Sequence, residues 1–169
     1  MKYAMIEDSK EFYELFLTHF HVYVPDQTLD YYPDCTSFPL DQPYTVLFLD
    51  IELPGMDGIQ FAKQLHQQKY PAIIVFITNK KDLIYDAFGM NVFRFIPKDQ
   101  LESRLPALFE DLAKEYHKNT EFLLETTKGT VTCTYNDVIY VEKIGQSLFV
   151  QTTKDLYELR YVSIQDLYD

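Results

Sequence analysis

Cysteine is scarce in this chain of 169 residues: Cys35 and Cys133 are the two present. That is too few for a disulfide framework and fits a reducing cytosol, with both as ordinary small residues of core or surface. Long hydrophobic runs are absent as well. Segments such as Ala72 to Ile77 fall far short of the ~20 residues that span a bilayer, so no membrane contact and a cytoplasmic location are expected. The opening Met1-Lys2-Tyr3-Ala4-Met5-Ile6-Glu7-Asp8 reaches acid at once and offers no cleavage site, so no signal peptide is expected. No internal repeat or low-complexity tract is evident.

Positive charge is in short supply. Lys and Arg number 15 against 26 Asp and Glu, a net −11. Residues 1–119 carry net −7 and residues 120–169 net −4. Nucleic-acid binding draws much of its affinity from Lys and Arg on phosphates, so neither part reads as a strong free-standing DNA binder. What is present suits a folded protein: 47% hydrophobic and 24% charged residues support a packed core.

The first 118 residues alternate strand-like apolar runs with helical periodicity, the pattern of βαβ units around a parallel sheet, an α/β fold. Strands are predicted at Tyr3 to Ile6, Thr28 to Tyr32, Tyr44 to Leu49, Ala72 to Ile77 and Val92 to Ile96. The second, more polar, reads as an edge. Helical stripes are predicted through Phe12, Leu15, Phe16 and His19 or Phe20, through Ile59, Ala62 and Leu65, through Leu83, Ile84, Ala87 and Phe88, and through Leu105, Leu108, Phe109, Leu112 and Tyr116. Pro106 is expected within the first turn of the last helix. Pro33 to Pro43 leaves little room for a helix. After Lys118 the pattern turns β-rich, with a hairpin about Lys128-Gly129, runs at Val138 to Glu142, Leu148 to Thr152 and Leu156 to Arg160, and a helix start at Ser163-Ile164-Gln165-Asp166. These last 50 residues read as the front of a β module whose remainder is missing.

Four strands end in chemistry. The first runs into Glu7-Asp8, the third into Asp50, the fourth into Thr78, the fifth into Lys98. In an open parallel sheet these carboxyl ends share one rim, where ligands bind. Taken singly, Glu7 and Asp8 read as a helix cap, Asp50 as a turn former, Thr78 as a strand-end hydroxyl and Lys98 as a solvated charge. Together they read otherwise. Three converging carboxylates call for a cation, and Mg²⁺ accepts few carboxylates, water and phosphate oxygens. Thr78 and Lys98 suit a phosphoryl group, and an aspartate beside Mg²⁺ can be the nucleophile that forms an acyl phosphate.

The segment Leu47-Phe48-Leu49-Asp50-Ile51-Glu52-Leu53-Pro54-Gly55-Met56-Asp57-Gly58 resembles the phosphoacceptor loop of two-component response-regulator receiver domains. The resemblance covers residues 1–118 and implies a flavodoxin-like, doubly wound (βα)5 parallel sheet. It implies that Asp50 takes phosphate from a sensor histidine kinase, without the chain being an enzyme beyond slow autodephosphorylation. Asp8, Asp50 and the backbone carbonyl of Glu52 would hold Mg²⁺, with Glu7 assisting through water. Lys98 would pair with the phosphoryl group, Thr78 would bond to it, and Phe95 would report the switch. Phosphorylation would pair residues 82–96 with those of another copy, giving a homodimer. Three features depart from the family pattern: Asp99 follows Lys98 where proline is common, Asn79 follows Thr78 where a small residue is typical, and the second-helix region is short.

The first and last departures resemble the AgrA-like branch, whose output module is of LytTR type and binds promoter DNA. Residues 119–169 resemble the front half of that all-β module, through Asp137-Val138-Ile139-Tyr140-Val141-Glu142, Gly145 and Tyr157-Glu158-Leu159-Arg160. Lys143, Gln146 and Ser147 occupy the loop that reaches DNA in the family, a poor set for reading bases. The expected function is a phosphorelay regulator of transcription. A second reading is a receiver that acts through protein contacts alone. A third is a phosphohydrolase of the haloacid dehalogenase type, which needs a second Asp where Glu52 stands.

Overall fold

The computed structural model describes residues 1–80, 83 and 92–160. Two compact units divide the chain, Met1–Glu110 and Asp111–Asp169.

In the first unit, strands β1 (Tyr3–Ile6), β2 (Leu29–Tyr32), β3 (Val46–Leu49), β4 (Ile73–Thr78) and β5 (Val92–Pro97) form one sheet in the order β2-β1-β3-β4-β5. Every pairing is parallel, with Tyr3 opposite both Leu29 and Val46, and Val46 opposite Ile73. This is the flavodoxin-like arrangement. Every residue of β1 and β3 is buried, as strands covered on both faces must be. β2 is an edge, matching its more polar sequence.

Helix α1 (Lys10–Tyr23) starts where the Ser9 hydroxyl accepts from the Phe12 amide at 3.1 Å, and α2 (Gly58–Gln67) where Asp57 accepts from Gln60 at 2.9 Å. The third helix, α3 (Leu101–Asn119), follows a short 3₁₀ turn at Lys98–Gln100. Three helical expectations need correction. Leu15 is 52% exposed: the inward line of α1 is Phe16 and Phe20, one turn apart, with Leu15 turned off that face. Tyr116 is 37% exposed, since the buried stripe of α3 ends at Leu112. Pro106 lies one turn deeper than expected. It deprives the Glu102 carbonyl of its helical donor, and both residues are exposed, so water can serve that oxygen. The stripe at Leu83 to Phe88 falls, apart from Leu83, outside the described residues, as does the helix start at Ser163.

Residues 33–45 contain no helix. An aspartate turn replaces it, Asp34 Oδ1 accepting from the Thr36 and Ser37 amides at 2.8 and 2.9 Å. The Phe38 ring then packs edge-on against Tyr32, Phe61 and Tyr70. Buried Tyr44 donates to Asp30 at 2.6 Å and lies 2.6 Å from the Tyr32 hydroxyl. Cys35 is buried in the same cluster. The described residues contain no cis peptide bond.

The second unit is antiparallel. β6 (Glu121–Thr126) and β7 (Gly129–Thr134) form a hairpin; β8 (Val138–Ile144), β9 (Ser147–Thr152) and β10 (Leu156–Glu158) form a meander in the order β10-β9-β8. Leu124, Cys133, Leu148, Val150 and Leu159 are its buried core. The Thr126–Leu159 bridge ties hairpin to meander. Gly145 turns β8 into β9 at φ +64°, a left-handed value that favours glycine. No helix among the described residues is long and apolar enough to cross a membrane.

Candidate functional site

Strand order reverses between β1 and β3, so the residues just past their ends face the crevice of the sheet. There Glu7, Asp8 and Asp50 each offer an oxygen within 4.8 Å of the others. Glu7 and Asp50 are buried while Asp8 is exposed, so the cluster opens to solvent on one side. Backbone bonds fix both ends: the Asp50 amide donates to the Ile6 carbonyl at 3.0 Å and the Glu7 amide to that of Tyr32 at 3.0 Å.

Lys98, at the end of β5, reaches across to this cluster. Its Nζ lies 2.6 Å from Asp50 Oδ2 and 2.7 Å from Glu7 Oε2, and donates to Glu7 Oε1 at 2.9 Å. The ammonium also sits 4.4 Å from the centre of the Phe12 ring, a cation–π contact. Burial alone would lower the Lys98 ammonium; its bonds to Asp50 and Glu7 outweigh that and hold it above its ordinary value. Asp50 Oδ1 takes the Ile51 amide at 2.6 Å and the Glu52 amide at 3.3 Å. Thr78 is fully buried at the end of β4, its hydroxyl oxygen accepting from the Lys80 amide at 3.3 Å, which leaves the proton to donate. Phe95 is half-buried beside Phe76, ring centres 6.3 Å apart.

Glu7 tests whether a cation fits. Its Oε1 takes the Ser9 amide at 3.1 Å, while its buried Oε2 has the Lys98 ammonium at 2.7 Å and no other partner among the described residues. An oxygen in that state, beside two further carboxylates, suits a hard divalent cation. Burial pushes the Glu7 carboxyl up to about 7, against the bond and charge of Lys98 and with help from the Asp50 charge. The folded chain thus keeps a proton that the unfolded chain has released between about 4.5 and 7. Stability should fall as pH rises through that window and level off above it, by about 3 kcal/mol. Urea unfolding with chelator present measures this. Glu7→Gln should flatten the slope. Asp34 and Asp137, whose hydrogen bonds hold their carboxyls low, act below the window.

The structure brings Glu7, Asp8, Asp50 and Lys98 into one site, with Thr78 on the neighbouring strand end. Sequence reasoning missed three participants. Phe12 was legible only as a helix position, though it follows Asp8 by one turn. Gly58 was legible only as a turn residue, yet a Cβ there would collide with the Asp50 carbonyl. The exposed Glu52 carboxylate meets Lys80 at 3.2 Å, a pairing that no spacing announces. Lys143, Gln146 and Ser147 lie together at the β8–β9 hairpin, the first two exposed.

Known proteins resemble this chain in sequence and in fold. The response regulator receiver domain family matches residues 6–110. The transcriptional regulatory protein YpdB of Escherichia coli K12 is 26% identical over 138 residues, covering 73% of this chain and 57% of YpdB. The sensory transduction protein LytT of Bacillus subtilis is 28% identical over 117 residues, covering 69% and 46%. The solved response regulatory domain of MrkE from Klebsiella pneumoniae superposes with a TM-score of 0.59 at 25% identity, over 69% of this chain and 98% of that domain. TrrA of Thermotoga maritima, solved with Mg²⁺ and BeF, shares the fold with a TM-score of 0.58 at 20% identity, over 66% and 99%. The chain belongs to the response regulator receiver family. It spans about half the length of the curated relatives it matches, and its antiparallel strands fit a partial LytTR-type domain. The phosphohydrolase reading is thereby set aside.

Proposed function

We propose that the chain is the phosphorylation-switched part of a two-component response regulator, with Asp50 as the phosphoacceptor. The observation that carries this is the placement of the Asp50 carboxylate, 2.6 Å from Lys98 and within a three-carboxylate pocket at the switch point of the sheet. An Asp50 oxygen attacks the phosphorus of a sensor kinase's phosphohistidine, an O–P bond forms, the N–P bond breaks, and the electron pair returns to the imidazole. Asp8, Asp50 and the Glu52 carbonyl are the ligands we assign to Mg²⁺, with Glu7 acting through water. The ion would supply charge neutralisation for the incoming phosphoryl oxygens. Lys98 exchanges one carboxylate contact for a phosphoryl oxygen, and the Thr78 hydroxyl turns to donate to another. Phe95 then repacks with Thr78, favouring one of two arrangements. The surface that would pair two copies, residues 82–96, lies mostly outside the described residues. A small-molecule phosphodonor with Mg²⁺, followed by intact mass and peptide mapping, tests the assignment: label is expected on Asp50, and label elsewhere overturns it.

For the chain's output we assign residues 1–118 to the receiver and 119–169 to the front of a LytTR-type DNA-binding module. The second unit's net −4 and the Lys143, Gln146 and Ser147 set at its hairpin argue that this chain alone does not read a promoter. Titration of the 169-residue chain against promoter DNA should give no specific, saturable shift. Tight binding that weakens steeply with salt would overturn this.

A further inference from the structure

The first turn of α1 closes a circuit around the Lys98 ammonium. Glu7 Oε1 accepts from the Ser9 amide at 3.1 Å and from Lys98 Nζ at 2.9 Å. The Ser9 hydroxyl in turn accepts from the Phe12 amide at 3.1 Å, and the Phe12 ring centre lies 4.4 Å from the same Nζ. The carboxylate that holds the ammonium therefore also anchors the cap that sets the ring against it. Phe12 differs from the aromatic residues that follow it on the helix. Phe16 and Phe20 are fully buried and both meet the Phe48 ring, at 4.9 and 6.4 Å between centres. Phe12 is half-buried and, among the described residues, meets no other ring. The Lys98 side chain is 16% exposed, so charge and ring face attract with little water between them, where the contact is strongest.

We infer that Phe12 is a positioning residue of this site: the face of its ring, rather than its bulk, holds the Lys98 ammonium at Asp50 and Glu7. The chemistry of the pocket favours a ring at this place. Glu7, Asp8 and Asp50 already bring three carboxylates together. A further carboxylate would repel an entering phosphoryl group and claim an N–H that the phosphoryl oxygens need. An aliphatic side chain would give the ammonium no attraction once it loosens its hold on a carboxylate. A ring face attracts the charge while remaining neutral, so the ammonium keeps its place as its anionic partners change. The hold on Lys98 does not depend on Asp50 being the phosphoacceptor. Its effect on phosphate uptake rests on that reading.

Ring fluorination separates face from bulk. Replacing Phe12 in the full chain by phenylalanines that carry one, two or three ring fluorines drains the negative potential of the face at nearly constant size. The order parameter of the Lys98 ε-methylene, from carbon relaxation, should fall step by step through the series. The initial rate of phosphate uptake from a small-molecule phosphodonor with Mg²⁺ should fall in the same order, by about fivefold with three fluorines. Phe12→Leu keeps an apolar side chain and should match that lowest rate. Phe12→Tyr keeps the face and should stay within about twofold of the native rate. Urea midpoints check that each variant is folded. A methylene order that stays level across the fluorinated series overturns the inference. So does a level rate when peptide mapping places the label on Asp50. Label found away from Asp50 overturns the phosphoacceptor reading instead, and the methylene order then decides for Phe12 by itself.

Discussion

Asp50→Asn should lose phosphate uptake by ~10³-fold or more, measured as the slope of phosphorylated mass against time. The amide is nearly isosteric, so the Ile51 and Glu52 amides can still bond to Oδ1. What disappears is the proposed nucleophile. Its nitrogen would face the Lys98 ammonium across the present 2.6 Å contact, donor against donor, and Lys98 should shift toward Glu7. The Asp50 charge is one of the causes that raise the Glu7 carboxyl, so Glu7 should titrate lower in the variant. Asp8→Asn leaves the nucleophile in place and should weaken Mg²⁺ binding about tenfold, with uptake recovering at high Mg²⁺. Uptake that persists in Asp50→Asn would remove Asp50 from the role.

Gly58→Ala should destabilise the first unit by about 2–4 kcal/mol, read from urea midpoints, and slow phosphorylation as well. Gly58 is the first residue of α2, and its φ is not positive. Backbone freedom is therefore not at stake, and helix propensity alone favours alanine by about 1 kcal/mol. The added Cβ decides the sign. It would collide with the Asp50 carbonyl oxygen and lie 2.9 Å from the Asp50 carbonyl carbon and 3.0 Å from Ile51 Cα. Nothing there yields easily: the Asp50 amide is held by Ile6 at 3.0 Å, and the Gly58 amide holds the Ile51 carbonyl at 2.9 Å. The displacement would fall on the backbone that carries Asp50, the proposed phosphoacceptor. An unchanged midpoint would mean that α2 can move away without cost.

Strands and their chemistry were legible because a buried parallel strand must be apolar along its length and can change character only at its end. That rule located Glu7, Asp8, Asp50, Thr78 and Lys98 before any geometry. It also explains what was missed. Leu15 and Phe16 are equally apolar, and which of them turns inward depends on how α1 lies against the sheet. Pro106 was legible as a helix-start signal, yet the preceding 3₁₀ turn moves it inward. The roles of Phe12 and Gly58 arise between elements far apart in sequence: a ring beneath an ammonium 86 positions later, and a helix start pressed against the end of β3. The absence of a helix in residues 33–45 was legible from the prolines; the tyrosine and phenylalanine cluster that replaces it was not.

The two compact units each close around a hydrophobic core of their own, one including Ala4, Leu47 and Phe76, the other Leu124, Cys133 and Val150. Cooperativity in unfolding comes from sharing a core, so heat or denaturant acts on this chain as on two bodies. Occupancy of the acidic pocket raises the transition of the unit that holds it.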